Sequence, residues 1–125
     1  MNKPTPPTTA NFGNKKLLIV KIHQAALRAA NGDAFKAAHS VWDVNQDHVK
    51  GRDVVVVTVE DNIIQDVFAV DGWKKVRSVP KSDGKMKTDW AFCGTSVASS
   101  WAKNWIRARI PAKYIGGRRT FRYVN

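Results

Sequence analysis

The sequence predicts an α+β fold in which a mixed, mainly antiparallel β-sheet carries two or three helices. Two apolar runs predict its centre, because Val54 to Val59 is almost entirely β-branched and Ile63 to Val70 is nearly as apolar. The Asp61-Asn62 pair between them can adopt positive φ, as the tight turn of a β-hairpin requires. Both faces of this hairpin are mostly apolar, so we expect other elements to cover it on both sides.

A turn at Asp61-Asn62 also fixes the expected register of the central hairpin. It places Thr58 opposite Gln65 and Val55 opposite Phe68. One face then carries Val55, Val57, Val59, Ile64 and Phe68. The other face carries Val54, Val56, Ile63, Val67 and Ala69.

The elements before the hairpin follow from composition. Leu17 to Ile22 is a short apolar run typical of a buried strand, and Gln24 to Ala30 favours a helix that stops at Asn31-Gly32. Asp33 to Asn45 is ambiguous, since its first part favours a helix and its second part alternates like a strand. We favour a strand that ends near Val44.

After the hairpin the chain is basic and rich in turn residues. Asp89 to Cys93 predicts a strand closed by Gly94, and Arg118 to Val124 predicts a final strand. Between them, Val97, Trp101 and Trp105 recur every four residues, which predicts a helix from Val97 to Ala108. A tryptophan stripe of this kind normally packs on a sheet.

The length of 125 residues fits one domain, which we assign to residues 15–125, preceded by a flexible arm over residues 1–14 that is rich in Pro and Thr. The apolar runs are far too short to span a bilayer, so no membrane partner is expected. The N-terminus lacks the apolar core of a secretory signal, and Cys93 is the single cysteine. A reducing, cytoplasmic location fits both observations.

The distribution of charge is the strongest functional signal. The formal net charge is +11, yet residues 1–72 hold eight basic and eight acidic side chains. Residues 73–125 hold thirteen basic and two acidic ones, so the whole excess lies in the last 53 residues. This asymmetry predicts a basic face, although a solvated surface of unusual balance would also produce it.

Tryptophans accompany this charge, because Trp73 and Trp90 flank the basic stretch and Trp42 precedes the hairpin. Aromatic faces stack nucleic-acid bases, while Lys and Arg neutralise phosphates. Packing in the core is the competing interpretation of all three rings. The candidate phosphate contacts are Lys74, Lys75, Arg77, Lys81, Lys85, Lys87, Arg107, Arg109, Lys113, Arg118, Arg119 and Arg122.

Catalytic and metal-binding patterns are weak. His23, His39 and His48 form no HxxxH motif, and a single cysteine excludes CxxC zinc spacing. Two acidic residues, such as Asp43 and Asp71, could hold a metal in a nuclease, but no Glu-x-Lys follows them at a suitable distance. We therefore expect no catalytic residue, no metal and no cofactor.

Four short motifs, in this order, resemble those of PUA-like domains of the EVE, ASCH and YTH types, found in small prokaryotic and viral proteins. They are residues 38–42 (AHSVW), 67–73 (VFAVDGW), 89–94 (DWAFCG) and 122–125 (RYVN), and the resemblance spans residues 35–125. It implies a compact β-barrel-like fold with a pocket for a base, often a modified or flipped one. By that resemblance Trp42, Trp73 and Trp90, with His39, line the pocket. His39 and Asp89 both depart from the pattern, which has Arg at each position.

Together these observations predict a nucleic-acid-binding module with an aromatic pocket beside a basic face. DNA and RNA are both open as partners, and the oligomeric state is not predicted. The first alternative is a small protein of a phage or mobile element that binds an acidic host protein through the same face. A metal-dependent nuclease is the third hypothesis.

Overall fold

The computed structural model describes residues 8–38, 49, 51–80, 82–115 and 121–125, with only the backbone of Arg77, Val79 and Lys87. The chain forms a five-stranded sheet with two short helices, which confirms the α+β class. The strands are β1 (Leu17–Lys21), β2 (Val54–Thr58), β3 (Ile64–Pro80), β4 (Met86–Ser96) and β5 (Phe121–Val124). The helices are α1 (Gln24–Ala29) and α2 (Ala34–Ala38).

The sheet is mixed and mainly antiparallel, as predicted. Its strand order is β4-β3-β2-β1-β5, and the pairing of β1 with β2 is parallel while the other three pairings are antiparallel. Among the described strands the sheet is open, with β4 and β5 at its two edges. Within the described residues, no helix is both long enough and apolar enough to cross a membrane.

Each face of the sheet carries its own hydrophobic core, as the apolar hairpin predicts. The first core lies under the two helices and contains Leu18, Val20, Ile22, Ala34, Ala38, Val49, Val55, Val57, Val59, Phe68 and Phe92. The second contains Ala10, Phe12, Leu17, Ile19, Val54, Val56, Ile64, Val67, Ala102, Ala108, Ile110 and Val124. Complete burial of one aliphatic side chain contributes roughly 1.5–3 kcal/mol, so these two layers supply most of the stability.

The register of the β2–β3 hairpin is confirmed at Val55, which pairs with Phe68, and is wrong at Thr58. A bulge between Val57 and Thr58 makes Thr58 pair with Ile64 instead of Gln65. Because one residue of shift reverses the face of a strand, Ile64 packs in the second core with Val56 rather than beside Val55.

The turn itself explains the shift. The N–H of Asn62 donates to the carbonyl of Val59 at 2.9 Å, so the turn begins earlier than the predicted Asp61-Asn62 loop. Asn62 follows with a φ of 63°, in the left-handed region. A turn closed by one left-handed residue is longer than a two-residue loop and produces a bulge of this kind.

The two helices agree with the composition. α1 ends where expected, with Asn31 at a φ of 56° and Gly32 at 80°. α2 begins after Asp33, whose Oδ1 accepts the N–H of Lys36 at 3.1 Å and caps the helix. Ala34 to Ala38 is therefore helical, and the strand predicted to end near Val44 lies outside the described residues.

The helix predicted from Val97 to Ala108 is wrong. The segment consists of turns with a short 3-10 helix at Lys103–Trp105. Its ends bond to β3 instead of to the next helical turn, because Val97 N–H donates to Val67 O at 2.8 Å and Arg107 N–H donates to Ile64 O at 2.9 Å. These anchors hold the segment flat against the second core.

The chain from Thr8 to Asn14 also packs on the sheet. Ala10 N–H donates to Arg109 O at 2.9 Å, and Arg109 N–H donates to Thr8 O at 2.7 Å. Phe12 is 5% exposed and meets Trp105 edge-on, with ring centroids 4.8 Å apart. Part of the segment that composition assigns to the arm therefore belongs to the folded structure.

Candidate nucleic-acid interface

β3 and β4 extend well beyond the rest of the sheet as a two-stranded ribbon. The last residue of β3 that pairs with β2 is Ala69, and from Val70 to Pro80 the strand pairs with β4 alone. We call Val70–Pro80 together with Met86–Gly94 the ribbon. At the usual rise per residue it is roughly 35 Å long, although its base packs against the first core.

The ribbon and its turn carry the densest group of cations in the chain. Residues 74–87 contain six basic side chains and one acidic one. Lys74, Lys75 and Lys85 are exposed, and none of the three has a carboxylate within ion-pair distance in the described structure. The backbone places Arg77 and Lys87 in the ribbon, and Lys81 lies outside the described residues.

Three acidic residues belong to the ribbon or its turn, and one of them, Asp71, is exposed. Asp83 lies in the turn, and its Oδ1 accepts the N–H of Lys85 at 3.0 Å. Asp89 is 1% exposed and pairs along the backbone with Arg77. Lys74, Lys75 and Lys85 are exposed to solvent, where they are available to an anionic partner.

A shallow, open depression of about 740 Å³ lies beside the base of the ribbon. Phe35 of α2 and Phe92 of β4 form its apolar part, and their rings meet edge-on at 5.6 Å. Lys74 and Lys75 also line it. The depression thus combines aromatic surface with positive charge, the two features that a site for a nucleotide needs.

Trp73 and Trp90 lie on the same face of the ribbon, and both are half-buried against the first core. Trp73 meets Phe92 edge-on at 5.7 Å. Its indole Nε1 is buried and has no hydrogen-bond acceptor among the described residues. Neither ring is a free stacking platform, and the other two predicted pocket residues, Trp42 and His39, lie outside the described structure.

The remaining predicted phosphate contacts lie elsewhere on the sheet. Arg107 and Arg109 belong to the layer over the second core, and Arg122 lies on β5. Arg122 donates from Nη1 to the carbonyl of Lys113 at 3.4 Å, which brings these two cations together. Because β4 and β5 are opposite edges of the sheet, four strand spacings or about 19 Å separate them. These predicted contacts therefore do not all lie beside the ribbon, and Arg118 and Arg119 lie outside the described residues.

Sequence reasoning missed two features of this surface. Phe35 and Phe92 line the depression, where tryptophans were expected. The alternation of the strand predicted from Asp89 to Cys93 was the pattern that could have placed Phe92 on the same face as Trp90. Trp101 is 47% exposed, although its spacing predicted a packed stripe with Trp105. Lys15 Nζ lies 4.0 Å from the centroid of the Trp101 ring, a cation–π contact between distant parts of the chain.

The described residues offer little for metal chemistry. They contain no group of three or more His, Cys, Asp or Glu side chains that could hold a metal ion. Asp71 is exposed on the ribbon, whereas its proposed nuclease partner Asp43 lies outside the described structure. Cys93 is exposed.

Comparison of this chain with models of protein families, with curated proteins and with solved structures finds no match.

Proposed function

We propose that this protein binds nucleic acid through the ribbon. The observation that carries the proposal is the presence of six cationic residues against one acidic residue between positions 74 and 87, on a two-stranded element that projects from the sheet. Phosphate contacts of this kind supply most of the affinity of non-specific binding. A two-stranded ribbon also has a width that the major groove of B-DNA admits.

The depression at the base of the ribbon supports a finer proposal, in which one base leaves its stack and enters it. The exposed part of Phe35 would contact the base, with the buried ring of Phe92 packed behind it, while Lys74 and Lys75 would hold the adjacent phosphates. The Trp73 Nε1 has no acceptor among the described residues, and because it is buried it would donate to a base acceptor only after the ring shifts. The resemblance to PUA-like domains also supports a pocket for a base. It further implies that the base is modified or flipped and that the sheet belongs to a β-barrel-like fold.

Salt dependence tests the proposal. We expect binding to labelled DNA or RNA to weaken steeply between 50 and 200 mM salt, by roughly 10³-fold or more if six or more phosphates are neutralised. The double substitution Lys74→Glu/Lys75→Glu should weaken binding and lower the slope of affinity against salt. Salt-insensitive binding, or no binding to any nucleic acid, contradicts the proposal.

A matched control separates local from overall charge. Lys16 and Arg28 are exposed, and both lie outside the ribbon, within residues 1–72, whose basic and acidic side chains balance. Lys16→Glu/Arg28→Glu changes the net charge by the same amount and should have a much smaller effect. An acidic protein is the competing partner for the same lysines. A complex from lysate that survives nuclease treatment and is lost in Lys74→Glu/Lys75→Glu would favour that partner.

A further inference from the structure

The tip of the ribbon is apolar on one face. Pro80 and Met86 form the last backbone pair of β3 and β4, directly before the turn. The next pair on the same face is Ser78 with Thr88, whose hydroxyl oxygens lie 3.4 Å apart. Pro80 is exposed and Met86 is 60% exposed, so small polar residues precede an uncovered apolar pair at the end of the ribbon.

Large exposed apolar side chains are scarce in the described structure and concentrate on the ribbon. They are Val76, Met86 and Trp101, and the first two belong to β3 and β4. Met86 has the greatest exposed fraction of the three, with cationic Lys85 directly beside it in the chain. A single exposed methionine is ordinary on a protein surface. An exposed Pro–Met pair at the end of a projecting basic ribbon is a more specific arrangement.

We propose that Pro80 and Met86 form a wedge that enters duplex DNA from the minor groove and unstacks one base step. The inference rests on the proposed binding of nucleic acid. Proline and methionine are among the side chains that act as such wedges, and their insertion kinks the duplex by about 20–90°. Lys85 then contacts a phosphate beside the step, and Lys74 and Lys75 contact phosphates farther along the duplex, so charge complementarity selects the occupant.

The geometry of the ribbon is compatible with this entry only if the groove opens. Two paired strands lie about 4.8 Å apart before their side chains are counted, whereas the minor groove of B-DNA is about 6 Å wide. A kink towards the major groove widens the minor groove at the wedge. Bending is therefore a requirement of the mechanism and the quantity to measure.

Asp83 is the one negative side chain at the tip. Its Oδ1 accepts the backbone N–H of Lys85 at 3.0 Å, which holds the carboxylate against the turn. Pro80 and Met86 lie on the strands, as the pair next to this turn. Removal of the charge by Asp83→Asn should strengthen binding to duplex DNA, because it removes repulsion without changing the wedge.

The test is ligation into circles of a DNA fragment of about 110 base pairs, which is shorter than the persistence length of about 150 base pairs and closes poorly by itself. We expect the full-length protein to raise the yield of circles, because each kink brings the two ends closer together. Met86→Ala and Pro80→Ala should each abolish most of this change and weaken binding about tenfold. The salt dependence should stay unchanged in both variants, because neither changes a charge.

Trp101→Ala is the matched control, since Trp101 is a large exposed apolar residue that lies outside the ribbon. It should bend DNA as the unsubstituted protein does. Binding without bending overturns the wedge. Bending by the Met86→Ala and Pro80→Ala variants that equals that of the unsubstituted protein also overturns it. Both results leave the proposed function intact. Tighter binding to single strands or to duplex RNA than to duplex DNA also overturns the wedge. Loss of all nucleic-acid binding defeats both proposals together.

Discussion

Gly94 of β4 lies directly against the backbone of Ala69 in β3, where a Cβ atom at position 94 would overlap the Ala69 carbonyl oxygen. Ala69 is the last residue of β3 that pairs with β2, and Gly94 pairs with the next residue, Val70. A bulge between Val70 and Gly72 follows at once. This close approach therefore lies at the point where the ribbon leaves the sheet, and it depends on the missing side chain of Gly94.

Gly94→Ala should destabilise the protein by about 1–3 kcal/mol, because the contact is with backbone and neither strand can move without disturbing its pairing. Gly72→Ala is the control, since nothing lies within 4 Å of a Cβ placed there. Unfolding in urea measures both changes. Equal stability of the two variants would show that the strands separate at Gly94 without loss.

Phe12→Ala should lower the free energy of unfolding by about 3–5 kcal/mol, as for other buried aromatic residues. Phe12 is 5% exposed and contacts the rings of Trp105 and Tyr114. Asn14→Ala, an exposed position of the same segment, should change stability by less than about 0.5 kcal/mol. A small effect of Phe12→Ala in urea unfolding would mean that residues 8–14 contribute little to the fold.

Asn62→Ala should cost about 1 kcal/mol, because the φ of 63° at Asn62 is unfavourable for a residue with an ordinary Cβ. Asn62→Gly should be close to neutral, since glycine adopts this conformation freely. Both variants retain the two backbone hydrogen bonds of residue 62. Its N–H donates to the carbonyl of Val59, and its carbonyl accepts the N–H of Ile110. Thermal unfolding distinguishes the two variants, and equal melting temperatures would contradict the role of the left-handed backbone.

Trp73→Phe should change stability by less than Trp90→Phe does. Both substitutions shrink a half-buried ring, but the first also removes a buried N–H with no described acceptor. An unpaired buried donor costs about 1–3 kcal/mol, which offsets the lost apolar area. Urea unfolding checks the order of the two variants. A larger loss for Trp73→Phe would indicate that the N–H is satisfied in solution.

The binding affinities of the same two variants test whether the Trp73 N–H contacts a bound base. If the Trp73 N–H donates to a base in the depression, Trp73→Phe should weaken nucleic-acid binding about tenfold, close to the effect of one lost hydrogen bond to a buried partner. Trp90→Phe leaves that donor in place. Unchanged affinity for Trp73→Phe, measured on a nucleic acid that the unsubstituted protein binds, would remove Trp73 from the site.

The candidate site was only partly predictable. The basic stretch from Lys74 to Lys87 was evident from charge alone, because unpaired cations in a short segment remain visible in any fold. Arg109 and Arg122 were expected on the same face, but Arg109 lies in the layer over the second core and Arg122 lies on the edge strand β5. Linear charge contains no information on strand order, so the separation of these residues from the ribbon could not be read from it.

The sequence by itself determined the strands and helices whose local pattern and burial agree. The β-branched run from Val54 to Val59 makes a strand in any context that buries it, and Asn31-Gly32 ends a helix because both residues tolerate positive φ. The antiparallel hairpin and the two cores followed from these runs.

Only the tertiary structure decided where local preference was weak. The spacing of Val97, Trp101 and Trp105 suits a helix, yet backbone bonds to Val67 and Ile64 hold the segment in turns, since anchoring both ends to a strand outweighs a few tenths of a kcal/mol per residue of helix propensity. One left-handed residue, Asn62, moved Ile64 to the opposite core. The length of the ribbon likewise came from pairing between distant segments, a choice that no local pattern contains.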